Sequence, residues 1–392
     1  LDGEGDAEAA SAGYVDAKSS KRILELARKQ QAEIEAEDGS DDEDMDAGAD
    51  APFAFGDDDD DDDYEEDEEE YEIEDIELDD EEQAVLDRFL PEAPRERQSL
   101  ADLIMSKIKR YELKQESDAR ILVPPNINEK VAAVYTQVGG LLSRYTHGRL
   151  PKAFKIIPSI PNWEDILYLT NPSGWTPHAM FAATKVFISN MKPKAAQKFL
   201  QYVLLDAVRA DIQEHKKLNY HLYMALKKAV YKPSAFFKGI VFPLCESGTC
   251  TLREAVILGS VLTRVSIPML HSAGALYKLA EMDYTGPTSL FIRVLIDKKY
   301  ALPYKVVDAL VFHFTRFKND ERAMPVLWHQ SFLAFVQRYK ADIAPDQKDA
   351  LMEVLRVKTH HSISPEIRRE LVNSVSRGEL VLQPDGAKMD LD

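Results

Sequence analysis

Cysteine is almost missing: the 392 residues hold two, Cys245 and Cys250. That is too few for a disulfide framework and makes a reducing compartment the expectation. No run approaches the roughly 18 to 20 uncharged apolar residues of a membrane-spanning helix, so no membrane association is expected. A glycine-rich phosphate loop is lacking as well, since Gly139-Gly140 stands in an apolar stretch with no Lys-Ser/Thr behind it. The two thiols are five residues apart, but Glu246 and His271 nearby do not make a second ligand pair, so no metal is expected. The nine histidines, among them His178, His313 and His360-His361, have no nucleophile or carboxylate arranged around them in sequence. Alternating strand patterns are rare too, the short run Ala153–Ile157 being the one extended candidate. These absences argue against an enzyme, a cofactor and a small-molecule substrate.

What is abundant is acid, and it is unevenly placed. Residues 1–120 hold 44 acidic and 13 basic residues, a balance of -31, whereas residues 121–392 hold 24 and 35, a balance of +11. Residues 121–245 alone carry 16 bases against 6 acids. Between Gln30 and Asp87 stand 32 acids and no Lys or Arg, a composition that repels itself and is expected to stay disordered. Ser40, followed by Asp41, Asp42 and Glu43, is a candidate phosphorylation site. Lys18, Lys21, Arg22, Arg28 and Lys29 precede the acidic block, either as a nuclear-import cluster or as one face of a charged helix from about 20 to 35.

From about residue 121 apolar residues recur at three and four, the mark of helices. Proline punctuates them, because its missing N–H costs nothing in a first helical turn. Pro177, Pro193, Pro233, Pro268, Pro287, Pro303, Pro325, Pro345 and Pro365 each precede such a run. Thr176, Asn162 and Ser364 are candidate N-caps, and Thr251-Leu-Arg-Glu254 is a capping box expected to open a helix over 252–264. From Pro268 the prolines fall 19, 16, 22, 20 and 20 residues apart, so two helices with their turns take about 40 residues. The fold expected is all-α, an irregular HEAT-like or armadillo-like helical-repeat solenoid behind a disordered acidic N-terminal region, with an irregular helical bundle as the alternative. The expected divisions are an acidic tail over 1–85, a docking or linker helix over 86–120, a basic half over 121–245, a second half over 246–378, and a disordered tail over 379–392.

The basic half offers candidate RNA contacts. Arg144, Arg149, Lys152 and Lys155 stand among Tyr145, His147 and Phe154 with no acid between them, a composition suited to phosphates and stacked bases. Lys217, His221, Lys228 and Lys232 are spaced to share one face of a helix expected over about 212–232, and Lys192, Lys194 and Lys198 add charge to the same half. A merely solvated lysine face is the competing reading.

Longer words in the sequence resemble the bystin family: Leu150-Pro-Lys-Ala-Phe-Lys-Ile-Ile-Pro158, His221-Leu-Tyr-Met-Ala-Leu-Lys-Lys228, Pro243-Leu-Cys-Glu-Ser-Gly-Thr-Cys-Thr-Leu-Arg-Glu254, Asp297-Lys-Lys-Tyr-Ala-Leu-Pro303 and Val326-Leu-Trp-His-Gln330. The resemblance covers about 135–371. It implies a non-catalytic, nucleolar and nuclear factor of small-subunit (40S) assembly that joins the 90S pre-ribosome and travels to the cytoplasm with the pre-40S particle. It also implies partners: 18S pre-rRNA, ribosomal proteins of the pre-40S head and beak, and other assembly factors including the low-temperature-viability factor. The family supplies no catalytic residues to carry over, and the candidate RNA contacts rest on charge alone. A purely protein-binding scaffold is the alternative.

Overall fold

The computed structural model describes residues 25, 80–90, 99–112 and 127–378. Ser40, most of the acidic block and the C-terminal stretch from 379 lie outside them. Among the described residues there are sixteen helices and no strand.

Among the described residues, α1 (Asp80–Asp87) and α2 (Leu100–Glu112) precede the main array. The sequence division placed the end of the unstructured tail at 85, yet α1 begins at Asp80. It is held by apolar contacts, because Leu86 and Phe89 are buried. The array proper starts with α3 (Glu129–Leu142), the single-turn α4 (Lys152–Lys155), a 3-10 turn at Ile157–Ser159, and α5 (Trp163–Leu169). The Ala153–Ile157 run is therefore helical, not extended. Pro151 O accepts from Phe154 N and Lys155 N, and Ala153, Phe154 and Ile157 turn inward together.

From α6 (Pro177–Asn190) onward, helices alternate between two layers. One layer holds α6, α8 (Tyr220–Ala229), α10 (Leu252–Arg264), α12 (Gly286–Asp297), α14 (Val326–Tyr339) and α16 (Ile363–Val372), each packed on the next member. In the other layer α7 packs on α9, and α11 (Met269–Glu281) packs on α13 (Tyr304–Thr315), which packs on α15 (Pro345–Val357). Helix α7 runs through Pro193–Phe199, a π-turn at Leu200–Leu204, and Leu205–His215; α9 runs through Pro233–Phe236, a π-turn at Phe237–Val241, and Phe242–Ser247. The two π-turns pack together, and a Cβ on Gly239 would stand 2.7 Å from Gln197 O, so the backbones approach at a distance only glycine allows. The layering is repeat-like, but π-turns and single-turn helices make the first half irregular.

Local chemistry sets many of the boundaries. Thr251 and Glu254 form the reciprocal capping box that opens α10, and Thr176 Oγ1 accepts from Ala179 N at the head of α6. Asn162 occupies the cap position of α5 without a side-chain bond. Ser364 is not the cap of α16: Ser362 is, and the Ser364 hydroxyl accepts from His360 N one turn back. Both thiols are buried and free, and burial pushes Cys245 up to about 12 and Cys250 well above the ordinary thiol value. They pack as small apolar side chains.

The N-terminal pair straps the array along its length. Phe89 meets Tyr284 edge-on at 5.0 Å before α12 and lies under Arg322 at 4.1 Å, so α1 belongs to the second half. Helix α2 docks on the first half, where Leu100 and Ile104 are buried and Lys107 pairs with Glu164 and Asp165 of α5.

Candidate nucleic-acid interface

Helices α6 and α8 lie side by side, and their two ends carry different groups. At the N-terminal end, Thr176 N donates to Leu142 O and its hydroxyl to Tyr145 O, which pins the turn bearing Arg144 to the head of α6. His178, one residue into α6, lies 3.7 Å ring to ring from His221 at the head of α8. Lys217 precedes α8 in the same region. Arg144, Arg149 and Lys217 are exposed and pair with no carboxylate among the described residues.

At the other end, Lys232 donates to Met191 O, which joins the C-terminal ends of α8 and α6. Lys192 and Lys194 follow Met191, both exposed, and Lys228 lies over the ring of Tyr231 at 5.6 Å. Tyr231 is 73% exposed, a large aromatic presented to solvent among ammonium groups. No carboxylate among the described residues pairs with Lys192, Lys194 or Lys228. Clustered cations beside an open aromatic face can take phosphates and a stacked base together.

The expected single helix over about 212–232 does not exist. Lys216 adopts a left-handed conformation (φ 60°) that ends α7, and Asn219 caps α8 by accepting from His221 N. Lys217 thus stands before α8 while Lys228 lies in its last turn, separated by roughly 15 Å of helix. His221 and Lys228, seven residues apart, still share a face of α8, but Lys217 and Lys232 lie outside that helix. Two other candidates have duties inside the molecule. Lys198 pairs with Glu164 at 2.6 Å, and Lys232 caps a carbonyl, its burial holding its pKa below the ordinary lysine value. Lys152 and Lys155 are exposed on α4, whose Phe154 touches Trp175 before α6 and Phe187 near its end. Sequence reasoning missed Tyr231; the signal was its place between Lys228 and Lys232, but its exposure depends on the end-to-end arrangement of α6 and α8.

The second half uses its cations differently. Lys298 caps the Thr263 and Val265 carbonyls, Arg316 reaches Met282 O, Lys358 reaches Asp320 O and Arg322 O, and Lys340 pairs with Glu370. Residues 246–392 hold 19 bases against 18 acids, so the net excess of positive charge lies in the first half.

No group of three or more metal-ligating side chains occurs among the described residues, and no helix among them is long and apolar enough to cross a membrane. The family model that matches the chain is that of Bystin, over residues 94–381. The bystin of Homo sapiens is 49% identical over 390 residues, covering 96% of this chain and 89% of its own length. That of Monosiga brevicollis is 56% identical over 301 residues (77% and 73%), and that of Arabidopsis thaliana 51% over 303 residues (77% and 68%). With a family model matched along most of the folded array, and close similarity to relatives from an animal, a choanoflagellate and a plant, this chain belongs to the bystin family.

Proposed function

We propose that this chain is an RNA-holding scaffold of small (40S) ribosomal subunit assembly, which contacts 18S pre-rRNA through the joined C-terminal ends of α6 and α8. Its membership of the bystin family supports a general role in ribosome biogenesis, and on this reading it acts as a non-enzymatic scaffold. The observation that carries the RNA reading is the grouping of Lys192, Lys194 and Lys228 around exposed Tyr231, without a carboxylate partner among the described residues. Such a surface binds backbone and stacks bases without reading sequence. On this reading the second half, with its neutral balance and two-layer surface, holds proteins: ribosomal proteins of the pre-40S head and beak and assembly factors such as the low-temperature-viability factor. The mechanism is occupancy, immature RNA being held in one geometry until release. The protein would act in the nucleolus and nucleus and accompany pre-40S particles to the cytoplasm.

The test is binding of a structured RNA by the full chain across a salt series. Lys192→Glu, Lys194→Glu and Lys228→Glu together should weaken binding at least tenfold and flatten the dependence of log affinity on log salt by about three. Arg144→Glu, Arg149→Glu and Lys217→Glu together should cost less than threefold. Binding that is absent or indifferent to salt would favour a purely protein-binding scaffold.

A further inference from the structure

The basic half of the array contains an acidic concavity. A groove of about 660 Å³ lies between the first turn of α2, the turn after α5, the head of α6 and the second half of α7. Its apolar lining includes Leu100, Trp175, Met180 and Leu222, and its α7 wall carries Asp206, Asp211 and Glu214. No Lys, Arg or His lines it. Residues 121–245 hold only 6 acids, so half of them face this one concavity, while Glu164 and Asp165 are taken up with Lys107. Asp211 is partly engaged, accepting from Asn219 N at 2.7 Å and facing His215, whereas Glu214 is exposed and has no partner among the described residues.

An apolar floor with acid along one wall selects a helix whose apolar stripe is bordered by bases. The sequence contains such a segment. Placed at 100° per residue, Ile23, Leu26, Ala27 and Ile34 fall on one stripe, Arg22 and Lys29 border it on the Leu26 side, and Lys18, Lys21 and Arg28 fall on the opposite arc. Glu25, the sole acid between 17 and 32, lies among those bases, and it is helical and exposed. The chain from residue 35 to α1 spans up to roughly 150 Å when extended, enough to bring the segment to any point of the body. The acidic block attracts the same bases, but with 32 acids between 30 and 87 its composition suits charge pairing more than burial of Ile23, Leu26 and Ile34.

We propose that residues 18–34 dock as an amphipathic helix in the Asp206/Asp211/Glu214 groove, so that the chain's own basic segment occupies it until a competing basic helix displaces it. A tethered ligand at millimolar effective concentration shields the groove from weak competitors.

The test uses the full chain and a fluorescent peptide of residues 18–34, read by anisotropy. A chain whose tethered copy carries Leu26→Asp and Ile34→Asp should bind the peptide at least tenfold more tightly than the unmodified chain. Adding Ala210→Arg and Glu214→Lys, both at exposed positions on the groove wall, should remove that binding while leaving the melting curve in place. A peptide with Ile23, Leu26 and Ile34 replaced by serine, at unchanged charge, should fail to bind. Equal binding to chains with intact and disabled segments overturns intramolecular docking. Binding retained by the serine peptide, or unaffected by the α7 substitutions, assigns the peptide to the acidic block and overturns the groove. No binding to the disabled chain overturns both.

Discussion

Lys107 of α2 donates to the Glu164 carboxylate of α5 at 2.5 Å, and Lys198 of α7 takes the other oxygen at 2.6 Å. One carboxylate, 10% exposed, thereby joins three helices. Burial works against its charge, but the hydrogen bonds and charges of the two lysines outweigh burial and hold its pKa below the ordinary carboxylate value. Its neighbour Asp165, for which burial dominates, is pushed up instead.

Glu164→Gln keeps the shape and removes the charge. Breaking a buried pair costs about 3–5 kcal/mol, but both lysines here stay partly in water, so about 1–2 kcal/mol is expected, measurable in a denaturant titration. A depressed pKa gives stability that is present above the unfolded carboxylate value and lost as pH falls through the folded one. The difference between the two proteins should therefore shrink below about pH 4.

The paired glycines of α3 should respond oppositely. A Cβ on Gly139 would stand 2.5 Å from Thr170 O, a backbone atom, while one on Gly140 would meet nothing within 4 Å. Gly139→Ala should destabilise by about 1–3 kcal/mol through forced separation of α3 from the end of α5. Gly140→Ala should be neutral or stabilise by up to about 1 kcal/mol through helix propensity. Thermal melts of the two variants on either side of the parent decide it.

His313 is buried among Tyr284, Phe314 and Phe317, its Nδ1 3.2 Å from Ala280 O. Burial, helped by the Arg316 charge, lowers its pKa to about 3, and burial with the charges of His360 and Lys358 lowers that of His329 to about 4. The unfolded chain then binds protons below about pH 6.5 that the folded chain refuses, so stability falls as pH drops from that value. His313→Phe should reduce the slope by up to about 1.4 kcal/mol per pH unit between pH 6 and 4, as read from urea midpoints at each pH.

Phe89→Ala should act locally. Removing the ring leaves Tyr284 and Arg322 without their contact, and amides of residues 80–90 should lose protection from hydrogen exchange by about tenfold or more. The two-layer array, which does not need α1 to close its own core, should melt nearly as before.

Elements governed by adjacent residues were legible in the sequence. Thr251 and Glu254 announced α10 to the residue, because a capping box needs nothing beyond four positions. Prolines announced most helix starts for the same reason. The acids and bases could be counted but not paired: nothing in the sequence tells that Lys198 is spent on Glu164, or that Lys232 caps Met191 O. The break at Lys216 was hidden because it uses a lysine, not a glycine, in a left-handed turn; Asn219, a good cap, was the clue within reach. The basic end around Tyr231 emerged only when α6 and α8 were laid side by side.

The strap has a consequence for how the chain is made. Neighbouring helices of the array meet partners a few dozen residues away and can close as they leave the ribosome that synthesises them. Helix α1 is made before the array, yet its seat includes Tyr284 and Arg322, and Arg322 Nη1 reaches back to Arg88 O. Helix α1 therefore waits for more than two hundred further residues before its seat is made, whereas α2 meets Glu164 57 residues after Lys107. Its docking marks the moment at which the array has been built past α13, and a chain stalled or truncated before residue 322 leaves Phe89 without its Arg322 cover, a hydrophobic flag of incompleteness for the chaperones that survey nascent proteins.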